Sequence, residues 1–289
     1  MNPTFKTVLI PVDLSENNKA VVDEGLILAK MFKLEVILLH IINFKTSAIP
    51  FFGKSQLSKK EVIDDSTSKL NFIADEAFQS SGIKIHVMVE DGKFVKILAK
   101  IADLFYSRFI VMDLTNKTTE TEKTTIVSEL LHATEGSRTQ VVTLNNLNSS
   151  LENIKQIIIP LDLTKESRQK VPVGIDLAHL TGATIKLISI EDGGDAYQLS
   201  KLKTQIETVA TFLHKNNIPH TTDLLKHPTG KETPCSLILN YAKEHNGDLI
   251  MTMIHQEDES NTHAQQIMIH SEVPVVSVVS RTIGSIVNF

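Results

Sequence analysis

The apolar positions of this chain form short runs that alternate with helical stripes, and the whole alternation occurs twice. Residues 8–12 are a run rich in branched side chains, closed by Pro11 and Asp13, the pattern of a strand buried on both faces. Ser15 follows as a candidate helix N-cap. Val21, Val22, Gly25, Leu26, Leu28, Ala29 and Phe32 then recur at spacings of three and four, the stripe of an amphipathic helix. The same reasoning predicts strands over 36–42, 83–89, 109–112 and 140–144, and helices within 57–81, 94–104 and 124–133. In the second half it predicts strands over 157–161, 185–190, 220–225, 249–253 and 275–279, with helices near 167–180, 198–216, 234–244 and 262–269. Strands alternating with helices imply right-handed crossovers and a parallel sheet covered by helices on both faces.

The two halves also match residue for residue. Residues 5–41 align without a gap onto residues 154–190 at an offset of 149, with identities at Pro11/Pro160, Asp13/Asp162, Gly25/Gly174, Ala29/Ala178 and Leu38/Leu187 among others. A period this long marks a duplicated domain, since solenoid units run roughly 20–50 residues. The expected organisation is a first domain over 1–145, a second over 154–281, and a short polar linker over 146–153. The fold class is α/β: two tandem doubly wound domains forming an internal pseudo-dimer. The fifth strands of the two halves fall at 140–144 and 275–279.

Composition narrows the function. A net charge of -5 over 289 residues leaves no basic footprint, so neither nucleic acid nor an anionic membrane is expected as the main partner. The single cysteine, Cys235, excludes an internal disulfide framework and suits a reducing compartment. No apolar stretch approaches the roughly 20 residues of a membrane helix, and the chain is expected to be cytoplasmic. Eight of its eleven histidines follow the linker. His255 and His263 flank the acidic run Glu257-Asp258-Glu259, and His227 and Cys235 flank a Pro/Gly loop. Neither pair has the close spacing of a metal site, so surface histidines are the reading taken, and no metal is expected. No nucleophile elbow, paired acid and base, or G-x-G-x-x-G occurs, and no catalysis is expected. Phe51 and Phe52, in a loop with Pro50 and Gly53, either plug a local cavity or form an exposed patch; the apolar tail 283–289 poses the same question.

In an open parallel sheet, ligands sit beyond the carboxyl ends of the strands. The first strand of each half ends there at Pro11-Val12-Asp13 and Pro160-Leu161-Asp162. Each Asp is either a cap for free backbone N–H groups or an acceptor for a base or ribose. These residues, with Gly-Leu-Ile-Leu-Ala-Lys and Gly-Ile-Asp-Leu-Ala-His in the helices after them, resemble the universal stress protein family. So do Asp248-Leu249-Ile250-Met251, Ala264-Gln265-Gln266-Ile267 and Val273-Pro274-Val275-Val276. The resemblance covers essentially the whole chain as two consecutive copies. It implies five parallel strands in the order 3-2-1-4-5 and pairing through the fifth strands.

ATP-binding members of that family carry G-x-x-G, then nine residues, then G-S or G-T, because glycines let backbone approach phosphate oxygens. Here Asp113-Leu114-Thr115-Asn116 stands at that place in the first half. In the second, Met253 takes the first glycine's position and Asn261-Thr262 that of Gly-Ser. Asp113 would repel a triphosphate by about 1 kcal/mol or more at short range, and Glu257, Asp258 and Glu259 also carry the wrong sign. The resemblance therefore implies a tandem universal stress protein with degenerate ATP-binding motifs. Its expected role is that of a non-enzymatic stress-response or interaction module, with no cofactor, an unidentified protein partner, and room for a homodimer. The alternative is a nucleotide-binding sensor for ATP or AMP with weak or no ATPase activity. It would use Pro11, Asp13, Pro160 and Asp162 around base and ribose, and Thr262 for phosphate. A third reading places another small ligand in the same crevice, with Asp113 recognising a cation or hydroxyls.

Overall fold

A computed structural model describes residues 5–14, 18–44, 58–117, 119–134, 137–146, 150–164, 166–191, 195–226, 232–254 and 262–280. The first repeat runs β1 (Thr7–Pro11), α1 (Asn18–Phe32), β2 (Glu35–Ile42), α2 (Lys59–Ser81), β3 (Ile85–Asp91), α3 (Phe94–Leu104), β4 (Ser107–Asp113), α4 (Glu120–Ala133) and β5 (Gln140–Leu144). The second runs β6 (Gln156–Pro160), a 3-10 turn over Glu166–Gln169, α5 (Lys170–Thr181), β7 (Thr184–Glu191), α6 (Ala196–Lys215), β8 (His220–Lys226), α7 (Pro234–Glu244), β9 (Leu249–Ile254), α8 (Thr262–His270) and β10 (Val275–Val279). Every element expected from the periodicity is present; the ends differ by a few residues, as fraying ends do. Among the described residues no helix is long and apolar enough to cross a membrane.

The chain separates into two compact units. One comprises Met1–Asp113 with His132–Thr139, and the other Leu114–Leu131 with Gln140–Phe289. In the first unit the strand order is β3-β2-β1-β4, with β1 parallel to both β2 and β4. Val8, Leu9 and Ile10 are fully buried, as the continuous branched run at a central position requires. β3, at the edge, is half-buried along its length and exposed at Asp91, and its His86 meets Glu35 of β2 at 2.7 Å.

The second unit contains a complete 3-2-1-4-5 sheet, β8-β7-β6-β9-β10, and β5 is added beyond β10. All pairs are parallel except β5 with β10, which run antiparallel with Thr143 opposite Val275, Val142 opposite Val276 and Val141 opposite Ser277. Both strands are buried at every residue, so the expected pairing of 141–144 with 275–279 removes two edges at once. The Asn145 side-chain amide and the Thr143 hydroxyl both donate to the Met268 carbonyl of α8.

The repeated glycines have a packing reason. A Cβ on Gly25 would lie 2.2 Å from Cδ1 of Ile10, and one on Gly174 2.7 Å from Cδ1 of Ile159. In both copies the first helix of the repeat approaches its first strand too closely for any side chain. This contact aims the helix N-terminus at the carboxyl ends of the strands. Ser15, offered as the N-cap of α1, falls outside the described residues, as do Phe51, Phe52 and the tail from 281 onward.

Candidate functional site

In the first repeat, Pro11 ends β1 opposite Leu39 of β2, and Asp13 is exposed two residues later. The chain turns sharply there: Leu14 adopts φ 61, the left-handed region, which removes it from the line of the strand. Val12 is held by its neighbour strand. Its N–H donates to the Leu39 carbonyl at 2.9 Å, and His40 Nδ1 lies 2.7 Å from its carbonyl. A carbonyl only accepts, so Nδ1 is the donor in this contact. Asp113 ends β4, half-buried, beside β1 in the strand order.

The second repeat builds the corresponding place differently. Pro160 ends β6 opposite Ile188 of β7, and the Ser189 hydroxyl donates to the Leu161 carbonyl at 2.7 Å. Ser189 is the residue aligned with His40 at the 149 offset, so both repeats secure the carbonyl just before the Asp with a side chain from the second strand. Asp162 is exposed, and its Oδ1 accepts the Thr164 N–H at 2.8 Å and the Thr164 hydroxyl. This is an Asx turn, in which the carboxylate replaces a backbone acceptor. The Asp162 N–H donates to Ser167 Oγ at 3.1 Å, and the Gln205 amide of α6 donates to the Asp162 carbonyl at 2.5 Å. The turn is therefore closed from three sides.

Beneath this turn, at the first position of α5, lies Lys170, 3 % exposed. Burial pulls its ammonium down to about 8, against the opposing pull of the Asp162 carboxylate. Cys235, the other chemically distinctive group of this repeat, is buried at the start of α7. Its thiol contacts the His263 carbonyl at 3.4 Å, and burial pushes its pKa up to about 11. A thiol so poorly ionised is a weak nucleophile.

Of the residues singled out in the sequence, the structure brings Pro11 and Asp13 together at one strand end, and Pro160 and Asp162 at the other. Asp113 stands at the carboxyl end of β4, the parallel neighbour of β1. Met253 lies inside β9, 6 % exposed and paired with Val278. Thr262 opens α8, and its side chain lies outside the described residues, as do Asn261, His255 and the 257–259 carboxylates. Among the described residues no group of three or more His, Cys, Asp or Glu side chains could hold a metal ion. Periodicity missed Lys170, Ser189, His40 and Gln205. One signal was available: the 149 offset sets Lys170 against Val21, a charge within an otherwise apolar stripe.

The comparisons with known proteins fit this geometry. The profile of the universal stress protein family matches residues 4–119. The structure is similar to that of a universal stress protein from Archaeoglobus fulgidus DSM 4304, with a TM-score of 0.72 at 17% identity, over 95% of this chain and 96% of that one. It is also similar to a functionally unknown protein from Pseudomonas aeruginosa PAO1, with a TM-score of 0.67 at 13% identity, over 96% and 93% of the two chains. No curated protein matches the chain. At these identities the solved structures speak for the fold and the profile for the family. With two strand–helix repeats built alike, the first repeat matches the universal stress protein family, and the whole chain has the fold of a solved universal stress protein.

Proposed function

We propose that this tandem universal stress protein acts in the stress response as a non-enzymatic, cytoplasmic interaction module, with no working triphosphate cradle in either repeat and no cofactor. Its domains are taken as 1–145 and 154–281, joined by 146–153, with an unidentified protein as partner and a homodimer as the form in which two such chains would meet. The carrying observation is what occupies the first cradle position. In one repeat it is Asp113, a carboxylate at the end of β4. In the other it is Met253, buried within β9 and engaged in the sheet beside Val278. A phosphate cradle needs open backbone N–H groups and small side chains, and neither residue supplies them. The Asx turn at Asp162 adds to this, since one oxygen of that carboxylate already serves Thr164.

The second reading is a nucleotide sensor, favoured by the exposure of Asp13 at its strand end. It would place base and ribose against Pro11 and Asp13, or Pro160 and Asp162, with Thr262 toward phosphate, and would bind ATP or AMP. Isothermal titration of the full chain with ATP, ADP and AMP, with and without magnesium, separates the two. Silence is the expected result. Saturable ATP binding at micromolar affinity would overturn the proposal, and its loss in Asp13→Ala or Asp162→Ala would assign the sensor to that repeat.

A further inference from the structure

We propose that β3 is a docking edge for a second copy of this chain, which adds its own β3 antiparallel about a two-fold axis at Val87. The inference rests on the homodimer named above and supplies the surface on which it forms. The fifth strands are already occupied by each other, β5 against β10. Among the described strands, β3 ends the order in the first unit and β8 ends it in the second. An open edge offers N–H and C=O groups to another strand, and folds blunt such edges with charge, proline or polar side chains.

The duplication shows that β8 is blunted in a way that β3 is not. Val36 faces Ile85 across β2 and β3, and Ile185, aligned with Val36 at the 149 offset, faces His220 across β7 and β8. Position by position, β8 carries His220, Thr221, Thr222 and Asp223 where β3 carries Ile85, His86, Val87 and Met88. Thr221 and Thr222 are exposed, and Asp223 puts a carboxylate on that edge. Pro219 precedes β8 where Lys84 precedes β3. The apolar side chains of β3 at 85, 87, 88 and 89 are only half-buried by their own repeat.

The backbone decides which residues can pair outward. The Lys84 carbonyl accepts from the Val36 N–H, and the Gly92 N–H donates to the Ile42 carbonyl, both toward β2. The register between these two bonds has no shift. Backbone groups alternate sides along a strand, so the even-numbered residues face β2, and Ile85, Val87 and Val89 present N–H and C=O outward. Two such edges pair antiparallel when Val87 exchanges both bonds with its own counterpart and Ile85 does so with Val89. That makes about six backbone hydrogen bonds, in the self-complementary form that a two-fold contact requires. The same register sets Lys84 opposite Glu90, and Ile85 opposite Val89, at both ends, pairs that favour a sheet. Lys84 is exposed and shared with Glu35 at 3.2 Å, and no described residue pairs with Glu90. Sliding the partner by two residues in one direction sets His86 against its own counterpart, and in the other sets Ile85 against Asp91. Charge and apolar pairing therefore select one register.

Sedimentation equilibrium of the full chain over a range of concentrations tests this, with no nucleotide added. The wild type is expected to dimerise. Glu90→Lys, which sets Lys84 against a lysine, should weaken the dimer about tenfold or more, and adding Lys84→Glu should restore it. Six residues along a strand span about 20 Å, so cysteines at 84 and 90 cannot join within one chain. The double variant Lys84→Cys with Glu90→Cys should nevertheless oxidise to a covalent dimer, because the register brings each cysteine opposite the other type; neither single variant should, and Cys235 is buried. A monomeric wild type would overturn both the homodimer and this surface. A dimer that Glu90→Lys does not weaken, or that the paired cysteines do not capture, would overturn the surface alone.

Discussion

Replacing Lys170 by Met should stabilise this protein, and by an amount that depends on pH in a defined direction. The side chain is 3 % exposed, and its folded-state pKa is pulled from 10.5 to about 8, chiefly by burial. Between about pH 8 and 10.5 the unfolded chain binds the extra proton, so the stability contribution rises with pH through that window. Below about pH 8 both states are protonated and the whole desolvation penalty is present. The gap between 10.5 and about 8 corresponds to about 3 kcal/mol at roughly 1.4 kcal/mol per tenfold. Methionine has similar volume and no charge, so Lys170→Met should gain about 3 kcal/mol at pH 7.5, less any packing loss, with about 2 kcal/mol of that advantage gone by pH 9.5. Urea denaturation of both proteins at the two pH values measures this. The subtraction matters, because Cys235 and Tyr241 act in the opposite sense. Burial raises both their pKa values, and for Tyr241 a hydrogen bond from its hydroxyl to Asp223 contributes as well. They lend stability that is lost as pH rises through their own ranges. Both are common to the two proteins and cancel. A difference that does not change between pH 7.5 and 9.5 would refute the claim that a desolvated ammonium sits at this position.

Two further outcomes follow from the packing. Gly25→Ala should destabilise by about 1–3 kcal/mol through overpacking against Ile10, offset by about 1 kcal/mol of helix propensity, and more than Gly174→Ala does, since its clash is at 2.2 Å rather than 2.7 Å. Ile10→Val deletes the clashing Cδ1 and should recover part of the loss; a double-mutant cycle with no coupling would sink that explanation. Cys235, buried with its thiol pushed up to about 11, should react with an aromatic disulfide reagent at pH 8 roughly a hundredfold more slowly in the native protein than in urea. Equal rates would mean that the start of α7 opens readily.

Much of this protein was legible in its sequence, for physical reasons that act locally. Branched runs such as 8–10 and 157–159 can be satisfied only by burial on both faces. The stripes of α1 and α5 need one apolar side, and the conserved offset exposed the duplication without any structure. The pairing of β5 with β10 followed from the family resemblance, and it has a physical reason: both are short strands, buried at every residue, that would otherwise be left as open edges. The repeated Gly25 and Gly174 could be seen but not explained until the distance to Ile10 and Ile159 was known.

The candidate site divides along the same line. Sequence order alone put Pro11, Asp13, Pro160 and Asp162 at the carboxyl ends of strands, since a strand followed by a helix turns there. It also revealed the missing glycines, because their absence is a property of residue types. Only tertiary structure decided what those residues do to one another. Oδ1 of Asp162 turns back to Thr164, Gln205 arrives from forty-three residues away to close the turn, and His40 and Ser189 hold equivalent carbonyls with different chemistry. Above all, a lysine in a helical stripe is equally able to reach solvent or be enclosed. Its long side chain leaves the backbone pattern unchanged in either case, and only the surrounding packing buries Lys170.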